Sequence, residues 1–270
     1  MKYKIGDIAH ILGTSPDLLR YYEKKGIVKP VKDPNNDYRY YEPWDVNFLM
    51  DCIWYKSFHF GLDQVAEIIT NSTAEEVADT LDKKVLELRA QIRRNELLVR
   101  RAREHQADLM RLKNELGKCV LRDSPRVVRY INRYNNEYDN SEDVQAVSQE
   151  WLEYMPFTHR HFEMPAEDID DQKSEGRFRW GFSLTPDYVR ELGVKMHPPV
   201  LHLQSQPCIY TIFTSSGKGN FSPHKLDYVA DFAAKHGLKL QGEVRGNLLA
   251  SVLVDGELTG FFEAWIPYEI

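Results

Sequence analysis

Residues 75–116 contain neither glycine nor proline, and their apolar positions recur in sevens. One series runs Leu81, Leu88, Asn95, Ala102, Leu109, Leu116, and a second, four residues on, runs Val85, Ile92, Val99, Gln106, Lys113. A breaker-free stretch of this length predicts one long helix. A lone helix would leave such a stripe in water, so the pattern implies a partner helix. Leucine in one series and β-branched residues in the other suit the d and a positions of a coiled coil, while Asn95, Gln106 and Lys113 set register at a cost in stability. The competing reading packs the stripe on the chain's own C-terminal part. Gly117 ends the helix, and Asp123-Ser124-Pro125 marks the next boundary. Three segments result: 1–74, the helix 75–118, and 124–270.

The chain has 270 residues, 42% hydrophobic and 28% charged, which fits a soluble globular protein with more than one domain. It contains no run of roughly 18–20 apolar residues of the kind that spans a bilayer. The start, MKYKIGDIAHILG, carries Asp7 and His10 where a secretory signal needs an apolar block, so a cytoplasmic protein is expected. Cys52, Cys119 and Cys208 are odd in number and far apart, which predicts neither a disulfide framework nor a zinc site. Net charge is −6; by segment it is −1 over 1–72, +2 over 73–121 and −7 over 122–270. Any nucleic-acid contact at the front end must therefore rest on placed residues rather than bulk charge.

The first segment reads as short helices and tight turns. Ile5, Ile8, Ala9, Ile11 and Leu12 have helical spacing, and Gly13 stops that helix. Ser15 is an N-cap with Pro16 at the first helical position, and the second helix runs through Leu18 and Leu19 to Gly26. This is helix-turn-helix spacing. KDPNNDYRYYEP reads as a turn and a short extended arm, a wing, and further helices follow from Pro43 and after Gly61.

The third segment alternates elements. VVRYINRY is a strand, SEDVQAVSQEWLEYM a helix, and HRHFEMP and GRFRWGFSL strands around the acidic loop AEDIDDQKSEG. Then PCIYTIFTS is a strand, SPHKLDYVADFAAKHG a helix, and GEVRGNLLASVLV and GFFEAWIPYEI strands. The order βαββ occurs twice, which predicts an α+β domain with a cleft between two units.

The stretches YKIGDIAHILGTSPDLLRYYEKKGIVKP, DYRYYEPWDV and FGLDQVAEII, in this order and spacing, resemble the MerR family of bacterial transcription regulators. Asp37 stands where the wing usually has a glycine. The resemblance implies a winged helix-turn-helix domain at 1–74, an antiparallel coiled-coil dimerisation helix at 75–118, and binding to an over-long promoter spacer. Effector binding would distort that spacer so that RNA polymerase engages both promoter elements. The third segment, by its doubled βαββ order and the strand FFEAWIP, resembles the GyrI-like effector-binding domain of multidrug-responsive members (the BmrR type). In such domains a glutamate on that strand floors an aromatic ligand pocket; the matching residue is Glu263.

Two sets of site residues follow. A second helix in the major groove with phosphate-gripping flanks makes Ser15, Arg20, Tyr21, Tyr22 and Lys24, with Tyr38, Arg39 and Tyr40 of the wing, the DNA-binding candidates. Tyr22 can instead pack on Leu18 and Leu19. At the other end, strand alternation puts Phe261, Glu263 and Trp265 on one face, with Tyr268 nearby. A carboxylate among aromatics suits a bulky aromatic or cationic small molecule. Trp180, Phe182, Tyr210 and Phe213 are further candidate walls. Alternatively Glu263 is paired internally, with Arg179 or Arg245. His159 and His161 share a strand face but have no third ligand nearby in sequence, so no metal or other cofactor is expected. The leading reading is a homodimeric, ligand-responsive regulator that is not an enzyme. The alternative is a GyrI-like small-molecule hydrolase with Glu263 in its cleft.

Overall fold

The computed structural model describes residues 3–34, 38–171, 175–217 and 219–269. The chain divides into two compact units, Met1–Arg94 and Asn95–Ile270.

The first unit holds β1 (Tyr3–Lys4), α1 (Ile5–Leu12), α2 (Pro16–Lys24), β2 (Val31–Lys32), β3 (Arg39–Tyr41), α3 (Pro43–Ser57) and α4 (Leu62–Thr70), then the start of α5 (Ala74–Glu115). Local chemistry sets these limits. The Asp7 carboxylate accepts from the Lys4 amide at 2.8 Å to open α1, and Gly13 closes it at φ 59°, a conformation glycine adopts without strain. Ser15 Oγ accepts from the Leu18 amide at 3.2 Å, and Pro16 starts α2. The strands form an antiparallel sheet in the order β1-β3-β2. Asp37 lies outside the described residues. Ile8, Leu19, Tyr22, Tyr41, Leu49, Cys52 and Val65 form the core.

The second unit begins with the C-terminal half of α5. It continues through β4 (Val120–Asp123), β5 (Val127–Tyr134), β6 (Glu137–Tyr138), α6 (Glu142–Glu153), β7 (His159–Pro165), α7 (Glu167–Asp170), β8 (Arg179–Leu184) and α8 (Pro186–Leu192). Then come β9 (Leu201–Leu203), β10 (Pro207–Ser216), α9 (Asp227–Lys235), β11 (Lys239–Leu240), β12 (Glu243–Val254) and β13 (Glu257–Glu269). The main sheet is antiparallel in the order β4-β10-β13-β12-β7-β8-β5-β6. Its two halves meet where β12 pairs with β7, with Asn247 opposite His161. Gly246 is required there, because a Cβ would come within 2.3 Å of the Phe162 ring and the Glu263 carbonyl. In-register pairing carries one rank of side chains across the sheet: Tyr130, Phe182, Arg160, Leu248, Phe262 and Phe213. Trp151 of α6 packs on Tyr130, and Val229 and Ala233 of α9 pack in the cluster of Phe162, Phe213 and Phe262.

Several expectations are corrected. The acidic loop begins with α7, where Asp168 holds the Arg177 amide and guanidinium. The GRFRWGFSL strand is confined to Arg179–Leu184, and the last strand starts at Glu257, across a tight Asp255-Gly256 turn with both residues at positive φ. β4 occupies the expected boundary before Pro125 and pairs with β10. Among the described residues no helix is long and apolar enough to cross a membrane.

Candidate nucleic-acid interface and effector cavity

In the first unit α2 exposes Arg20 and Lys24, while its other side enters the core through Leu19 and Tyr22. Tyr22 is 1% exposed and its hydroxyl has no hydrogen-bond partner among the described residues, so it cannot reach a phosphate. Helix phase is the reason: Tyr22 lies three residues past buried Leu19. Burial also pushes its phenol up to about 12. Tyr21 is half-buried, and its hydroxyl donates to Asp63 at 2.8 Å. Arg20 pairs with Asp17 one turn back at 2.5 Å, both side chains largely in solvent. Ser15 is a cap. Arg39 Nε donates to Glu23 at 2.8 Å, and Tyr40 is half-buried beside it.

Lys4, Arg20 and Arg39, together with Tyr38, Ile5, Gly6 and Asp7, line one open cleft of about 460 Å³. Lys4 was absent from the sequence reading. It pairs opposite Tyr40 as part of β1, and its Nζ lies 5.4 Å from the centre of the Tyr38 ring. A two-residue strand leaves no periodicity to detect, and only its partner β3 reveals it.

In the second unit the eight expected ligand residues do not form one pocket. Glu263 is 5% exposed. It accepts from Asn247 Nδ2 at 3.0 Å and from the Tyr210 hydroxyl at 3.3 Å, with Arg111 Nη2 of α5 at 3.6 Å. Arg111 also donates to the Tyr210 hydroxyl at 3.0 Å and to Asp108 at 2.6 Å. Tyr210 and Trp265 share this cluster, capped by Leu112. The internal partner is thus Arg111. Arg179 pairs with Glu163 and Glu243, and Arg245 donates to the Gln204 carbonyl. Phe213 and Tyr268 belong to the core with Phe162 and Phe262, on the sheet face opposite Glu263 because alternate residues of a strand point to opposite sides. Trp180 packs on that same core. Phe261, across from Thr214, is half-buried.

Beside Glu263 runs a buried polar chain. His161 bridges Asn247 and Glu163, and Glu163 accepts from Arg129 Nε at 2.8 Å. Burial alone would raise the Glu163 carboxyl; hydrogen bonds and charge from His161 and Arg129 overcome it and hold the group at about 2.

Glu263 lines neither of two cavities that the described residues form around this sheet. One, of about 300 Å³, is bounded by Trp180, Phe182, Phe221, Phe262, Arg133 and Arg160. The larger, of about 580 Å³, is walled by Leu98, Arg101, Ala102, His105 and Asp108 of α5, by Met155, Pro156, Thr158, His159 and Arg160, by Phe182, and by Leu248 and Leu249 at the β12 bulge. Its α5 wall was missed. Apart from Ala102 those residues fall between the heptad positions, where sequence alone does not distinguish a solvated charge from an inward one. Among the described residues no group of three or more His, Cys, Asp or Glu is arranged to hold a metal.

Residues 4–41 match the MerR family regulatory protein family. Over 93 residues, 34% of this chain and 68% of the relative, the chain is 31% identical to the HTH-type transcriptional regulator CueR of Escherichia coli O157:H7. Over 97 residues, 33% of this chain and 70% of the relative, it is 27% identical to an HTH-type transcriptional regulator ZntR homolog of Haemophilus influenzae. The EcmrR chain of an EcmrR–DNA complex aligns over 99% of both chains at 17% identity, with a TM-score of 0.37, too low to support an argument about function.

Proposed function

This chain belongs to the MerR family of regulatory proteins, and on that footing we propose that it is a homodimeric, ligand-responsive transcription regulator that binds promoter DNA through its first unit. The carrying observation is the cleft where Lys4, Arg20 and Arg39, from three separate elements, converge beside the exposed side of α2. Three cations around one open cleft suit phosphate groups, which fix the register of a helix in the major groove. Lys24, Tyr38 and Tyr40 extend the grip, and Ser15 holds the start of α2.

Dimerisation is assigned to α5. Val85, Ile92 and Val99 of the heptad stripe are 43%, 58% and 52% exposed, an apolar seam that a second copy of the helix would cover. The second unit is read as a GyrI-like effector domain, on its doubled strand order. Its effector is a small aromatic molecule entering the cavity of about 580 Å³. A bulky cation at Glu263 would first have to displace Arg111. The hydrolase reading gains no support, because Glu263 opens on neither cavity. Binding is proposed to distort the promoter spacer and so admit RNA polymerase.

Fluorescence anisotropy of the full chain on the duplex that precedes its own coding sequence tests the DNA role. Saturable, salt-dependent binding lost in Arg20→Ala is expected; equal binding of the variant at moderate salt refutes it.

A further inference from the structure

Arg101 projects from α5 into the second unit and is only 9% exposed, yet no described carboxylate pairs with it. Its Nε donates to the Pro156 carbonyl at 3.0 Å, while its Nη1 is buried with no hydrogen-bond partner among the described residues. Asp108 is the one acid among the described residues lining the same cavity, and it is taken by Arg111 at 2.6 Å. His159, also in the lining, supplies no negative charge; burial, and then Arg101, hold its pKa down to about 3, so it is a neutral imidazole. A buried guanidinium without a counter-charge carries a large desolvation cost, which an anion seated against it offsets. Arg160, His105 and Thr158 also line the cavity, but Arg160 is exposed to solvent, where water offsets its charge, and the remaining wall is apolar, from Leu98, Ala102, Met155, Pro156, Phe182, Leu248 and Leu249.

We propose that this cavity binds a small organic anion, with its carboxylate, sulfonate or phosphate group on Arg101 and an apolar ring system along the Leu98–Phe182–Leu249 wall. The proposal rests on the reading of the second unit as an effector domain and gives that effector a charge opposite to the one Glu263 alone would suggest. A guanidinium offers a planar fork that matches an oxyanion. The cavity's volume, about 580 Å³, accommodates fused rings with a substituent. Because Arg101 is part of α5, the anion acts directly on the helix that carries the heptad stripe.

The test uses the full chain and three named probes. They are 8-anilinonaphthalene-1-sulfonate, its uncharged counterpart N-phenyl-1-naphthylamine, and tetraphenylphosphonium, with binding followed by fluorescence and by calorimetry. The sulfonate should bind at least about tenfold more tightly than the uncharged amine, the scale of one charge-assisted hydrogen bond in a buried site. Arg101→Gln should erase that preference and leave the amine within about twofold, while Arg101→Lys should retain much of it. Ligand-free Arg101→Gln should melt at or above the wild-type temperature, because it removes an uncompensated charge; the sulfonate should raise the melting temperature of the wild type only. Equal affinity for sulfonate and amine overturns the proposal, as does an unchanged sulfonate affinity in Arg101→Gln. Preferential binding of tetraphenylphosphonium, lost in Glu263→Gln, also overturns it. His105→Trp, which fills the cavity from α5, separates the two levels. If it abolishes binding of both naphthyl probes while Arg101→Gln changes neither, the cavity is an effector site and the anion assignment falls. If neither probe binds, or His105→Trp has no effect, both fall.

Discussion

Replacing Glu263 by glutamine should stabilise the protein at high pH and not at low pH. Burial raises the carboxyl from its ordinary 4.5 to about 7, against the lowering influence of Asn247, Arg111 and Tyr210, and Asp108 adds to the rise. A folded-state value above the unfolded one means that ionisation costs folding energy. The penalty is absent below about pH 4, grows as the pH climbs to about 7, and is complete beyond. The displacement corresponds to about 3 kcal/mol, a figure good to a factor of two. Glu263→Gln keeps an acceptor for the Asn247 amide at 3.0 Å and removes the charge.

Urea unfolding of the variant and the wild type at a series of pH values from 4.5 to 8 reads the difference directly. Trp265, whose ring centre is 5.4 Å from that of Tyr210, reports on the site by fluorescence. The gap should move by about 3 kcal/mol in favour of glutamine across the range. A carbon-detected NMR titration of the Glu263 carboxyl should show a midpoint near 7. Arg111→Met should move that midpoint further up, since Arg111 lowers it. A pH-independent gap, or a midpoint below about 5, would refute the burial argument.

Four shorter expectations accompany it. Arg20→Ala should weaken promoter affinity about tenfold in anisotropy and reduce its salt dependence, with the fold intact by circular dichroism. Tyr22→Phe should leave DNA affinity within about twofold and leave stability unchanged or up to about 1 kcal/mol higher, because the hydroxyl it removes has no partner among the described residues. Glu163→Gln should destabilise the second unit by about 3–5 kcal/mol at pH 7, read by urea unfolding, because Arg129 and Arg179 lose a buried counter-charge. That contribution is present above about pH 4.5 and lost as the pH falls toward about 2, so the two proteins should converge in acid. Ile92→Asp should shift the full chain from dimer to monomer in sedimentation, since it places a charge in an apolar seam.

What the sequence revealed was whatever is encoded locally. Gly13, Ser15 and Pro16 each act within one turn, and the limits of α1 and α2 fall where those residues put them. The run HRHFEMP, closed by Pro165, coincides with β7, His159–Pro165. Where an outcome depends on residues far apart, the pattern gave less. Val120–Asp123 carries no alternating burial, and only pairing with β10 makes it a strand. Aromatic content around β13 suggested a single pocket. Alternation and the β10 register instead divide those rings, sending Tyr210 and Trp265 to Glu263 and Phe213 to the core with Phe262. Arg111 and Arg101 are 152 and 55 residues from the Glu263 and Pro156 atoms they approach, separations no local rule spans.

Helix α5 bears on two competing readings of one stripe. The expectation set a partner helix against packing on the chain's own C-terminal part. In the structure Leu97 and Arg101 are buried and Leu98, Arg100, His105, Asp108, Arg111, Leu112 and Glu115 half-buried in the C-terminal half, and at about 100° per residue they fall within a sector of roughly 160°. Val99 lies roughly opposite that sector and Ile92 nearly so, and both are exposed. Packing on the sheet therefore consumes a different face from the heptad seam, and the helix can be docked on its own unit and still offer an apolar stripe to a second copy. This also accounts for the polar residues in the stripe. Asn95, Gln106 and Lys113 are exposed and not buried by the sheet, and under the proposed dimer they would set register. The inward face, by contrast, carries Arg101 and Arg111, where simple burial would favour leucine. Arg111 is accounted for by Asp108, Tyr210 and Glu263. Arg101 has no such counterpart among the described residues, and this asymmetry between two arginines on one helix face is the physical basis for assigning it an anion.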